Sequence, residues 1–278
     1  MAIKQLNPTT PGQRGMTTQD FSSITSKRPV KSLLVIKKTA RGRNNQGRIT
    51  TRHKGGGVKK YYRIINFKLP VGTVATIEQI EYDPNRSARI ARIKDSNNKY
   101  HYILAADGMK IGNKILVGDD VPIEIGNRLS LDNIPLGSTI HSVELQPGRG
   151  AQLARSAGSS VQLMAKDNGY AQLKLPSGEI RLVKIECMAS IGVVGNEQNQ
   201  NVKIGKAGRN RQRGIRPTVR GVAMGAYDHP HGGGDGGRHG TGKPPRTPWG
   251  QKTLGYKTRS RKKVSTMIVK GRNEGKRR

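Results

Sequence analysis

Between residues 61 and 200 the chain alternates apolar and polar positions in short runs separated by turn residues. Tyr61–Phe67 and Thr73–Tyr82 have the period of two expected of half-buried strands. Ala88–Lys94 and Tyr100–Ala105 read as a further pair joined through the hairpin turn Asp95-Ser-Asn-Asn98. Ser138–Leu145 opens a second group. Val161–Lys166 and Tyr170–Leu175 flank Asp167-Asn-Gly169, and Glu179–Ile185 follows Pro176-Ser-Gly178. No amphipathic helix of useful length interrupts this pattern. It predicts an all-β architecture of two small barrels of about five strands each, over 61–125 and 126–200, with a boundary near Gly126-Asn127. The same alternation assigns Tyr61, Tyr62, Tyr100 and Tyr102 to barrel core and rim.

Both ends lack this pattern. Residues 1–60 are polar and turn-rich, with Leu33–Lys37 the one expected strand and the rest an extended arm. Residues 201–278 contain 16 Gly and 5 Pro, a composition of irregular chain, with one short basic helix expected within Lys203–Gly214.

Charge sharpens the division. The formal net charge is +33, far beyond the magnitude of about 2–8 that solubility favours in a small domain. Residues 1–60 hold 14 Lys and Arg against 1 acid, residues 61–200 hold 16 against 14, and residues 201–278 hold 21 against 3. A near-neutral body with two cationic ends is the pattern of a nucleic-acid-binding protein. One cysteine, Cys187, excludes an internal disulfide and points to a reducing compartment. No apolar run is long enough to cross a membrane, and the basic ends show no amphipathic face for a membrane surface.

Arginine carries the candidate chemistry. Arg41 and Arg43, Arg48, Arg52-His53-Lys54, Lys59-Lys60, then Arg209, Arg211, Arg213, Arg216 and Arg220, and finally Arg259, Arg261, Lys262 and Lys263 form runs with almost no intervening acid. The guanidinium fork matches phosphate oxygens two at a time and stacks on bases. Neighbouring glycines let backbone N–H groups approach phosphate. A single such run is usually a solvated charged face; five are better read as an RNA-binding surface. Arg149 and Arg155, in the glycine-rich loop Pro147–Gly158, are expected to form a second phosphate-contacting surface.

Three sharper motifs give way under inspection. Gly237-Arg-His-Gly-Thr-Gly-Lys243 nearly matches a phosphate-binding P-loop, but Pro244 replaces the magnesium-holding hydroxyl and Pro244-Pro245 cannot open the required helix. Asp228, His229, His231, Asp235 and His239 suit a transition metal by ligand type, but their spacing is no common structural-zinc pattern, so no metal or cofactor is expected. His229 is a competent general base by chemistry. No nucleophile or apolar pocket stands recognisably beside it, so RNA contact is favoured over catalysis.

Seven motifs at consistent positions then carry a family resemblance: Arg52-His-Lys-Gly-Gly-Gly57, Ile80-Glu-Tyr-Asp-Pro-Asn-Arg86, Gly148-Arg-Gly-Ala-Gln-Leu-Ala-Arg155, Leu175-Pro-Ser-Gly-Glu179, Arg216-Pro-Thr-Val-Arg-Gly221, Asp228-His-Pro-His-Gly-Gly-Gly234 and Thr247-Pro-Trp-Gly250. From about residue 1 to 270 the chain resembles the large-subunit ribosomal protein L-two family, bacterial type. The resemblance implies an oligonucleotide-binding (OB) barrel followed by an SH3-like barrel, with both ends threaded into large-subunit rRNA of the 23S type. It implies a non-enzymatic rRNA-binding role in the large subunit of a bacterial-type, cytoplasmic ribosome. Neighbouring ribosomal proteins and small-subunit rRNA at an intersubunit contact would be partners, with no membrane and no small-molecule substrate. Support for subunit joining, tRNA binding and peptide-bond formation is implied as well. With the runs above, Arg63, Arg86, Tyr227, His229, His231, Arg246 and Trp249 complete the expected RNA-binding set. The family's debated histidine falls on His229. Where the family usually has Asn-Pro-Val before Asp-His, this chain has Gly225-Ala226-Tyr227, which loosens the backbone and adds an aromatic ring.

Overall fold

Strand pairing begins where β-branched residues alternate most regularly. β5 (Val74–Glu81) pairs antiparallel with β6 (Ile90–Asp95), β6 with β7 (Tyr100–Leu104), and β5 on its other side with β8 (Lys114–Leu116). The structure is a computed structural model and describes residues 3–26, 28–38, 41–233, 244–255, 258 and 266–272. Ala75, Ile77, Ala91, Ile93, Ile103 and Ile115 project to one face of the four-stranded sheet and form its core. A register shift between Ile77 and Gln79 inserts a bulge in β5, which bends the sheet.

Ahead of this sheet lie β1 (Ile3–Gln5), β2 (Thr17–Gln19), β3 (Leu34–Ile36) and β4 (Tyr61–Arg63), paired β1 with β2 and β3 with β4. The second group comprises β9 (Arg128–Ser130), β10 (Thr139–His141), β11 (Val143–Glu144), β12 (Ala151–Leu153), β13 (Val161–Asp167), β14 (Tyr170–Lys174), β15 (Ile180–Lys184), β16 (Met188–Ile191) and β17 (Ile268–Lys270). Seven of these form one sheet in the order β17-β15-β14-β13-β10-β16-β9, while β11 pairs with β12. Its core is Leu129, Leu131, Ile140, Val161, Leu163, Leu173 and Val183, all at most 2% exposed. Each such side chain contributes about 1.5–3 kcal/mol relative to exposure. Cys187 belongs to this core, and burial pushes its thiol up to about 11, so it packs as an unreactive protonated group. The fold is all-β, an OB-type barrel followed by an SH3-like barrel.

The predicted strands reappear with two interruptions. The expected strand Tyr61–Phe67 ends at Arg63, because the chain then crosses to β7: Ile65 bridges Tyr102, and the Asn66 N–H donates to the Tyr102 carbonyl at 2.7 Å. Ser138–Leu145 is split at Ser142, whose φ of 51° turns the chain from β10 to β11. The expected loop 147–158 contains β12. Of the four tyrosines, Tyr102 is fully buried, whereas Tyr61, Tyr62 and Tyr100 lie on the exposed surface. The Asn168-Gly169 turn between β13 and β14 has both residues at positive φ, the twist a two-residue hairpin requires.

The described residues cluster into two compact units. One takes the described residues within 1–38, 59–209 and 266–272, and the other those within 41–58 and 210–258. Parts of both termini therefore belong with the barrels. Lys203 and Thr17 exchange hydrogen bonds, and Arg209 Nη1 donates to the Thr17 carbonyl at 3.0 Å. Among the described residues one short α-helix forms, α1 (Ala207–Gln212), within the basic stretch Lys203–Gly214 where one was expected. Among the described residues no helix is long and apolar enough to cross a membrane.

Candidate nucleic-acid interface

The second unit brings together basic runs that lie about 160 residues apart in sequence. Residues 53–58 run antiparallel to 212–216. The Gly55 N–H donates to the Gly214 carbonyl at 3.0 Å, Arg216 N–H to the His53 carbonyl at 3.0 Å, and Val58 N–H to the Gln212 carbonyl at 2.9 Å. Glycine makes this approach feasible: a Cβ on Gly57 would meet the Gly214 backbone at 3.0 Å. Backbone bonding thus leaves Arg52, His53, Lys54, Arg213 and Arg216 exposed, with Arg211 half-buried.

Two turns extend this surface. The Asn44 side chain accepts the Gln46 and Arg48 N–H groups, while the Gly42 carbonyl accepts those of Thr50 and Thr51. This asparagine turn holds Arg41, Arg43 and Arg48 in solvent. In the second turn, Thr247 and Gln251 close over Trp249, which is 77% exposed with Arg52 stacked 5.0 Å above its ring. Arg220 and Arg246 are also exposed.

Between the turns lies a loop organised by imidazoles. His229 Nδ1 accepts the His231 N–H at 3.0 Å, and His231 Nε2 accepts the Arg246 N–H at 2.9 Å. The two rings sit 4.7 Å apart. Gly221 packs directly on the His229 ring, so a Cβ there would collide with it. His229 is the one buried residue among the described residues of this unit. Tyr227, two positions earlier, is 95% exposed. The described residues of this unit thus form no apolar core, and its sequence holds 18 Lys and Arg against 2 acids.

The remaining expected residues sit on the barrel unit in different settings. Lys59, Arg149 and Arg155 are exposed, while Lys60 donates to the Pro84 carbonyl at 3.2 Å. Arg63 and Arg86 converge on the buried Asp83 carboxylate, at 4.0 and 2.6 Å. Asp83 therefore neutralises part of what sequence reading took as free charge. Arg86 and Arg155 also stack on Phe67, at 6.0 and 4.9 Å. Arg259, Arg261, Lys262 and Lys263 lie outside the described residues, as do Asp235, His239 and most of the P-loop-like stretch. Among the described residues no three His, Cys, Asp or Glu side chains gather as a metal site.

Sequence reading missed Glu144. Its buried carboxylate accepts Arg128 Nη2 at 2.9 Å, and the N–H groups of Gly148 and Gly150 at 3.0 Å and of Met188 at 3.3 Å. It fixes the loop that carries Arg149 from beneath. The sole signal was an acid at an inward strand position, which alternation alone cannot distinguish from a surface one. Burial pushes the Arg128 guanidinium down from its ordinary value, and the Glu144 charge opposes that shift.

Comparison with known proteins bears on these surfaces. Residues 30–117 match "Ribosomal Proteins L2, RNA binding N-terminal domain", and residues 124–250 match "Ribosomal Proteins L2, C-terminal domain". The chain is 51% identical over 275 residues to the large ribosomal subunit protein uL2 of Burkholderia vietnamiensis, covering 99% of this chain and 100% of the relative. The uL2 proteins of Burkholderia orbicola and Burkholderia ambifaria match at the same identity and coverage. With matches spanning both barrels and the basic unit, the chain belongs to the ribosomal protein L2 (uL2) family.

Proposed function

We propose that this chain is a structural constituent of the large ribosomal subunit that binds its rRNA of the 23S type. The observation that carries the reading is the cationic unit, whose described residues form no apolar core. It holds 18 cations and 2 acids, and its described residues bury only His229. Such a segment gains little from its own packing and is stabilised by phosphate. Arg41, Arg43, Arg48, Arg52, Arg213, Arg216, Arg220 and Arg246 then contact phosphates, and Tyr227 and Trp249 stack on bases. The OB barrel over 61–125 and the SH3-like barrel over 126–200 dock on RNA, with 1–60 and 201–278 as extensions. Family membership supports contacts with neighbouring ribosomal proteins and with small-subunit rRNA, and a role in assembly, subunit joining, tRNA binding and peptide-bond formation. The setting is the cytoplasm of a bacterium.

The bonding of His229 supports a positioning role over a general-base role. A general base needs a free lone pair, but the His231 N–H already occupies Nδ1. In the neutral ring the proton then sits on Nε2, which can only donate.

Filter binding to a large-subunit rRNA transcript tests the reading. With around ten phosphates neutralised, affinity falls by about a thousandfold or more between roughly 50 and 200 mM salt. A flat salt response would overturn it.

A further inference from the structure

The SH3-like barrel carries a cavity that the cationic unit does not account for. β14 and β15 run antiparallel with Tyr170 opposite Lys184 and Leu173 opposite Arg181, and residues 145–152 rise beside them. The space between measures about 420 Å³. Arg149, Arg181 and Lys184 line it with no acid among the described lining residues, while Tyr170, Leu145 and Leu182 supply aromatic and aliphatic wall.

Two observations indicate a built site. Among the described residues Arg181 Nε is buried with no hydrogen-bond partner, as are Nε of Arg63, Arg89 and Arg92, but of these only Arg181 lines this cavity. A buried donor left without an acceptor is uncommon, and an arriving anion would satisfy it. Arg149 rides between Gly148 and Gly150, whose N–H groups are both fastened to Glu144, so this cation is held on a firm support.

We propose that this cavity takes one unstacked nucleotide of the bound RNA, its phosphate against Arg149, Arg181 and Lys184 and its base against Tyr170 and Leu182. The inference rests on the RNA-binding function proposed above. The volume lies in the range of about 300–1,000 Å³ typical of small-ligand sites, which suits a single nucleotide and excludes a duplex. Splayed bases packed on aromatic rings, with phosphate on arginine, are the usual mode of single-stranded RNA recognition. Three cations, with no acid among the described lining residues, select phosphate over a neutral ligand.

The test uses the full chain and a large-subunit rRNA transcript carrying 4-thiouridine, with crosslinked peptides identified after irradiation. Crosslinks are expected within residues 145–152 or 170–184. The double variant Arg149→Gln, Lys184→Gln, changed only at exposed positions, should lose them and lower the salt slope of binding by about 1. Crosslinks confined to residues 41–54 and 209–220 would overturn the cavity assignment while leaving RNA binding intact. Crosslinks nowhere, with a flat salt response, would overturn RNA binding and the cavity together. Adenosine monophosphate alone should not saturate the site at micromolar concentration; saturation there would assign the cavity to a free nucleotide and overturn the RNA source.

Discussion

Arg128 Nη2 lies 2.9 Å from Glu144 Oε1, an ion pair buried between β9 and β11. The same carboxylate accepts three backbone N–H groups, so its removal orphans more than one partner. Glu144→Gln is expected to lower stability by about 3–5 kcal/mol, the range for breaking a buried pair. Replacing both Arg128 and Glu144 by Met should recover only part of that loss, because the Gly148, Gly150 and Met188 donors remain unsatisfied. Urea unfolding of the three proteins measures this; full recovery in the double variant would show that the backbone contacts contribute little.

His141 gives the barrel a pH dependence. Burial pulls its imidazole from the ordinary 6.5 down to about 4, while Nδ1 donates to the Gly192 carbonyl at 3.1 Å and the Arg128 charge lowers it further. The unfolded chain therefore takes up this proton first as pH falls. The contribution is fully present above about pH 6.5 and is lost progressively towards about pH 4, amounting to about 3 kcal/mol. Stability measured against pH should fall less steeply across that window in His141→Gln than in the parent. Equal slopes would contradict the assignment.

Tyr102 ties the amino-terminal segment to the OB barrel. Its hydroxyl accepts the Val30 N–H at 2.9 Å and donates to Glu81 Oε2 at 2.8 Å, and burial pushes the phenol up to about 12. Tyr102→Phe leaves both partners unsatisfied and should cost about 1–3 kcal/mol. Hydrogen exchange at residues 28–38 should accelerate in the variant. Unchanged exchange there would mean that Val30 is held by other contacts.

Gly221 and His229 form one packing unit, so they should fail together. Gly221→Ala forces the His229 ring aside, and His229→Ala removes the acceptor for the His231 N–H. Each should weaken incorporation into reconstituted large subunits by about tenfold, equivalent to about 1.4 kcal/mol. In particles that do assemble, the peptide-bond rate should stay within roughly twofold of the parent. A large rate loss confined to His229→Ala in fully assembled particles would restore a catalytic reading.

The longer strands were legible because β5, β6, β7, β13, β14 and β15 repeat their period often enough to register. β1, β2, β8, β9, β12, β16 and β17 have only three or four residues each, too few for alternation to stand out, and β8, β9, β16 and β17 pair with strands distant in sequence. The basic runs were legible as chemistry but not as geometry. Nothing in Arg52-His-Lys or Arg211–Arg216 announces that backbone bonds would lay one beside the other, because glycine carries no side-chain pattern to read. Asp83 and Glu144 were missed for a different reason: an acid reads as surface until its buried partners are known.

Hydrogen exchange of the full chain, alone and with large-subunit rRNA, tests most directly whether RNA gives the cationic unit its order. With only His229 buried there, amides across residues 41–58 and 210–233 should exchange rapidly in the free protein. They should become protected when RNA binds, while β5, β6, β13 and β14 stay protected in both states. Strong protection of 41–58 and 210–233 without RNA, or none gained on adding it, would contradict that dependence.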